Sequence, residues 1–105
     1  MPKINPAEIR DANWHSLRAH LSGRLKAVYA AWVVHGPATT RALATRSGMD
    51  ILNIRPRTTD LVKLGLVECV HVDHGEGVYR ARSQAEWEAW ADSFRSMPYG
   101  QLALI

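Results

Sequence analysis

Apolar residues recur at helical spacing over much of the chain, and one region alternates instead. Trp14, Leu17 and Leu21 fall three and four apart. In RLKAVYAAWVVHG, Leu25, Val28, Tyr29, Trp32 and Val33 follow at i, i+3, i+4, i+7 and i+8, the stripe of an amphipathic helix. His35-Gly36-Pro37 stops it. ATTRALATRSG reads as a short helix capped by Thr39, with Leu43 and Ala44 inward and Gly48 as the turn. Arg41 and Arg46 cannot both lie on its buried stripe. Residues 66–73, LVECVHVD, alternate, with Val70 and Val72 on one face and Cys69, His71 and Asp73 on the other. His74-Gly75-Glu76-Gly77 forms a tip, and VYRAR alternates again, so a β-hairpin is predicted. Ser83-Gln84-Ala85-Glu86 is a capping box, and the helix it opens spaces Trp87, Trp90, Ala91 and Phe94 along one face. Met97-Pro98 ends that helix, and YGQLALI is a short tail. At the other end, Asn5-Pro6-Ala7-Glu8 has the order of a helix start.

The stretch MDILNIRPRTTDLVKLGLVE sets a problem, because its helical pattern contains Arg55-Pro56-Arg57. Ile54, Thr58, Leu61 and Val62 share one face; Arg55, Pro56, Thr59 and Lys63 share the other, with Arg57 and Asp60 at the margins. A helix begun at Asp50 would hold Pro56 in its interior, losing a hydrogen bond and crowding the preceding turn. With Asn53 as the cap, Pro56 falls in the first turn, where its missing N–H costs nothing. Asn53 is therefore the expected start, with a kinked helix from Asp50 as the alternative. Lys63-Leu64-Gly65-Leu66 is the exit.

Charge sharpens this picture. Residues 1–66 carry ten Lys and Arg against four acids, a net +6, while residues 67–105 carry three against six, a net −3. That asymmetry suits a basic face for a polyanion. The 105 residues fit one domain with ample apolar content for a core. A single cysteine excludes an internal disulfide framework and a four-cysteine zinc site. With no membrane-length apolar run and no leader-like segment, a cytoplasmic protein without membrane association is expected.

The order helix, short helix, turn, helix, hairpin, helix resembles the winged helix-turn-helix superfamily of DNA-binding domains. HGPATTRALATRSG, NIRPRTTDLVKLGLVE and HGEGVYRAR, from His35 to Arg82, carry the resemblance, which covers about half of the chain. DLVKLGLVE is similar to the helix-to-wing junction of MarR- and ArsR-type regulators. The Arg-Pro-Arg start is similar to small winged-helix proteins of phage and prophage origin.

The resemblance implies a mainly α fold with a two-stranded β-hairpin wing (α+β) and extra terminal helices. One domain would span 1–105: an N-terminal extension at 1–22, a winged-helix core at 24–82, a C-terminal helix at 83–97 and a tail at 98–105. It implies a non-catalytic protein binding double-stranded DNA, as a transcriptional regulator or a prophage DNA-handling factor. The helix at about 53–64 would enter the major groove. Asn53, Arg55, Arg57 and Thr59 are residue types that read base edges, and Lys63 lies further along, over phosphate. Thr39, Thr40 and Arg41 open the preceding helix, whose N-terminus favours phosphate. Arg80 and Arg82 would touch backbone from the wing, or else pair with Glu68 or Asp73 across the hairpin. Glu76 at the tip opposes DNA.

Other chemistries are less well supported by the residues. Cys69, His71, Asp73 and His74 match no zinc spacing, so neither metal nor other cofactor is expected. The five histidines are scattered, and no nucleophile elbow or phosphate loop is present. Trp14, Leu17, Leu21, Trp87, Trp90 and Phe94 either complete the core or build a homodimer interface, as in MarR-type dimers. The alternative function is a winged-helix module docking a protein partner through those Trp-rich helices.

Overall fold

The computed structural model describes residues 13–19, 21 and 23–95, without the side chains of Phe94 and Arg95. The helix expected at Asn5, the Met97-Pro98 stop, the tail and the Phe94 side chain lie outside the described residues. The fold is mixed α and β, with a small antiparallel sheet. In order, the elements are α1 (Trp14–Ala19), α2 (Gly23–His35), α3 (Thr40–Ser47), α4 (Ile51–Lys63), β1 (Val67–Asp73), β2 (Glu76–Ala81) and α5 (Gln84–Arg95).

Helix α2 forms the centre. Leu25, Val28, Tyr29 and Trp32 are buried as their spacing predicts, and α3, α4 and β2 pack around them. Val33 departs from the expectation, being 58% exposed where a buried i+8 position was predicted. Ala31, on the other side of Trp32, is buried instead, so the stripe drifts around the helix near its end. Trp32 also anchors α4, since its Nε1 donates to Thr58 Oγ1 at 3.0 Å in the core. That bond satisfies both buried polar groups, which would otherwise be costly.

Helix α3 starts as its sequence predicts: Thr39 accepts from the Ala42 N–H at 3.1 Å, and Gly48 ends the helix at φ +73°. Leu43 is buried, Ala44 half-buried, and Arg41 and Arg46 both point outward. Three residues later α4 begins, and here the expected Asn53 cap is corrected. Asp50 is the cap, accepting from the Leu52 N–H at 2.9 Å, and Asn53 lies inside the helix with Pro56. The earlier start adds backbone bonds from the Asn53 and Ile54 N–H groups to Asp50 O at 2.9 and 3.1 Å. Pro56 then leaves the Leu52 carbonyl without its helical donor. Leu52 is 74% exposed, so water can supply that bond and offset part of the cost.

Past Leu64, Gly65 takes φ +78° and turns the chain into β1. A Cβ there would come within 2.2 Å of the Trp90 ring, so only glycine fits this close approach. The hairpin is antiparallel, as expected, but its details differ. Cys69 pairs Tyr79 and His71 pairs Val78, leaving Val70 as an unpaired bulge residue. The bulge breaks the simple alternation of β1, and Val70 and Val72 are both exposed. The tip is only His74-Gly75, with φ +49° and +79°; Glu76 and Gly77 belong to β2. Ala38 joins the sheet as an isolated bridge, exchanging bonds of 3.0 and 2.8 Å with Tyr79.

The capping box forms as read. Ser83 N–H donates to Glu86 Oε1 at 2.9 Å, and Glu86 N–H donates to Ser83 Oγ at 3.2 Å. The Ser83 backbone bond holds the Glu86 carboxyl below the ordinary carboxylate range, with Arg80 adding to the effect. Trp87 fills the core, and its Nε1 donates to Leu64 O at 2.9 Å, which ties α5 to the end of α4.

Candidate nucleic-acid interface

The outer face of α4 carries Leu52, Arg55, Pro56, Thr59 and Lys63, all exposed, with Asn53 on the flank. Arg55 Nε reaches Thr40 Oγ1 of α3 at 3.4 Å, a long contact that steers the guanidinium without locking it. Thr59 Oγ1 donates back to Arg55 O at 3.2 Å. Arg55, Thr40, Thr58 and Thr59 wall a cleft of about 330 Å³ whose far side is Gly75, Glu76, Gly77 and Tyr79. Thr39 is spent on its cap. Arg41, one residue into α3 from Thr40, is 71% exposed and pairs with Glu76 at 3.2 Å. An exposed pair of that kind contributes about 0–1 kcal/mol, so it constrains Arg41 little.

Arg55 and Arg57 occupy different sides of α4, as the placement of Arg57 at the margin predicts. Two residues apart on a helix, they point about 200° away from each other. Arg57 turns to the half-buried margin, where its Nε lies 3.3 Å from Asp60 Oδ2. The Nε is buried and not aligned to donate, so the attraction is coulombic rather than a hydrogen bond. Arg55 and Lys63 differ: among the described residues, no carboxylate lies in ion-pair range of either.

The hairpin arginines are engaged inside the chain. Glu68 accepts from Arg80 at 3.1 Å and from Arg82 at 2.8 Å, and Arg80 also pairs with Glu86. Arg82 donates to Gly65 O at 3.0 Å and lies 5.3 Å over the Trp90 ring. The predicted pairing with Glu68 therefore forms, and that with Asp73 does not. Arg46, which was not singled out as a contact, clamps the loop before α3 through His35 O and Pro37 O at 3.0 and 3.2 Å.

The residues considered for a dimer interface lie mostly within the chain. Trp14, Leu17 and Trp87 are buried, and Leu21 and Trp90 pack partly against them. Trp14 meets Tyr29 edge-on at 6.4 Å and Trp87 at 6.0 Å. Burial raises the Tyr29 phenol above its ordinary pKa, with the Arg18 charge opposing the shift. Among the described residues, no three His, Cys, Asp or Glu side chains come together, so Cys69, His71, Asp73 and His74 form no ligand set. No helix of the described residues is long and apolar enough to cross a membrane.

Sequence reading passed over Tyr79 and Leu52. Tyr79 pairs with Ala38 and packs 5.8 Å from Trp32, fixing the hairpin beside α3. Its position in the alternating VYRAR run marked an inward residue but not this bridge. Leu52 was visible on the helical wheel as an apolar residue on the polar face.

No family model matches the chain, and no solved structure matches it. Over 62 residues it is 32% identical to a fructose-1,6-bisphosphatase class 1 of Shewanella halifaxensis (strain HAW-EB4). That match takes in 59% of this chain but 19% of the enzyme. The chain thus spans about a fifth of that protein, too little to place it in the enzyme's family.

Proposed function

We propose that this protein is a winged-helix domain that binds double-stranded DNA without catalysis. Support comes from the order of elements: a short helix, a turn of three residues containing Gly48, a longer helix and then a hairpin. The observation that carries the reading is the grouping of Arg41, Arg55, Thr59 and Lys63 from two helices onto one side, with Arg55 and Lys63 unanswered by any carboxylate among the described residues. In the proposed complex, α4 lies in the major groove. Arg55 and Thr59 meet base edges, and Leu52 offers an apolar contact of the kind that suits a thymine methyl. Arg41 and the first turn of α3, which contains no acid, take the backbone. Arg80 and Arg82 are left out of this interface, because their charges are met by Glu68 and Glu86. The rival reading, docking through the terminal Trp-rich helices, has less to stand on: Trp14 and Trp87 are buried, and Trp90 is half-buried against the core with the Arg82 guanidinium over its ring.

The test is binding to a mixed-sequence duplex across a salt series. Phosphate contacts from Arg41 and Lys63 predict a log–log slope of about −2. Arg55→Ala should weaken binding about tenfold, the loss of one good guanidinium contact. Absence of binding at low salt, or binding indifferent to salt, would overturn the proposal.

A further inference from the structure

Glu76 is the one acid among the residues lining the cleft beside Arg55. Its position is fixed by the backbone. The His74-Gly75 turn starts β2 at Glu76, and the Ala38–Tyr79 bridge holds β2 beside the start of α3. Gly77 sits close under the Tyr79 ring, where a Cβ would come within 2.9 Å. The Glu76 carboxylate is thereby held next to Arg41, accepting from its Nε at 3.2 Å. Arg41 lies in the first turn of α3, whose positive end attracts an anion.

We infer that Glu76 stands, in the free protein, where a backbone phosphate of the duplex goes in the complex, so that binding exchanges the Arg41–Glu76 pair for an Arg41–phosphate pair. This inference rests on the DNA-binding reading above. The exchange is physically accessible: the pair is exposed on both sides, and a phosphate offers Arg41 the same kind of acceptor with more oxygens. The displaced carboxylate remains beside the polyanion and is repelled by it. That repulsion penalises every duplex alike. It suppresses binding through backbone alone and leaves discrimination to the outer face of α4.

The experiment measures affinity for a mixed-sequence duplex at low salt in wild type, Glu76→Gln, Arg41→Ala and the double variant. Asp73→Asn, an equal charge change at the register partner of Glu76, is the control. Circular dichroism checks that each is folded. Glu76→Gln should bind about three- to tenfold tighter, and Asp73→Asn should stay within about twofold of wild type. The double variant should exceed Arg41→Ala by clearly less than Glu76→Gln exceeds wild type, because the exchange through Arg41 adds to the direct repulsion. A Glu76→Gln affinity equal to wild type, or a gain that is undiminished in the Arg41→Ala background or appears equally in Asp73→Asn, would overturn the inference while duplex binding by wild type still stands. Failure of wild type and Glu76→Gln alike to bind would overturn both.

Discussion

Two arginine pairs in this chain have the same spacing and opposite fates. Arg80 lies in β2 and Arg82 just past its end, where the Arg82 N–H still donates to Leu66 O at 2.8 Å and residues two apart still share a face, and one carboxylate, Glu68, takes both. Arg55 and Arg57 lie on a helix, where the same spacing separates them by about 200°. One leans toward Thr40 over an open cleft; the other is held against Asp60. A doublet of basic residues is therefore one site or two depending on the backbone beneath it. The strand pair closes the molecule, joining β1, β2 and the start of α5. The helix pair leaves one charge unanswered, and that charge carries the proposed function.

Pro56, between the helical arginines, is a test of what serves their placement. As the sixth residue of α4 it removes an interior hydrogen bond. Interior proline costs about 3 kcal/mol relative to alanine, and its stiffening of the unfolded chain returns about 0.4–1 kcal/mol. Pro56→Ala should thus stabilise the fold by about 2 kcal/mol, raising the melting temperature by about 10 °C. Thermal unfolding reads the first expectation, and duplex titration should show affinity within about twofold of wild type. Stability gained with binding lost would mean that the proline-shaped backbone aims Arg55, and Pro56 would belong to the site.

The strand pair is tested next. Glu68→Ala removes the carboxylate that Arg80 and Arg82 share. Arg80 keeps Glu86, and Arg82, only 16% exposed, keeps the Gly65 carbonyl and the Trp90 face. With those partners remaining, the loss should be about 1–2 kcal/mol, below that of a fully orphaned buried charge. Duplex affinity should not fall, because neither arginine belongs to the proposed interface. A stability change near zero would show the network to be ornamental. A drop in duplex affinity would return the hairpin arginines to the DNA.

What could be read from the sequence follows the range of the interaction involved. The α5 capping box and the Thr39 cap join residues three apart, so residue identity suffices. The buried face of α4 was also legible, because Ile54, Thr58 and Leu61 repeat at helical spacing. Its start was not. Asp50 and Asn53 are both good caps, and the local rule against an interior proline pointed to the wrong one. The rule was outweighed by extra backbone bonds and by an exposed Leu52 carbonyl that water can reach. The bulge at Val70 and the Ala38–Tyr79 bridge depend on partners distant in sequence, and alternation alone could not reveal them. For the candidate site, residue types and the place of Arg57 at the margin were legible, while the Arg41–Glu76 pair and the reach of Arg55 to Thr40 join residues distant in sequence and were not.

The smallest effect decides the comparison most sharply. Arg57 and Arg55 have the same charge and the same helix, so a purely electrostatic surface would weigh them alike. If geometry governs, Arg57→Ala should weaken duplex binding by no more than about threefold, through long-range attraction alone, against about tenfold for Arg55→Ala. It should also cost at most about 1 kcal/mol of stability, since the Asp60 contact is coulombic, partly exposed and unaligned. The two variants carry equal charge, so net charge cancels from their ratio. Equal losses at every salt concentration would mean that α4 approaches DNA along the Arg57 margin as well, and that Asp60 lets go on binding. Unequal losses that converge as salt rises would point to electrostatic steering in place of contact. Unequal losses that persist at high salt would identify Arg55 as the direct contact and Arg57 as a structural charge.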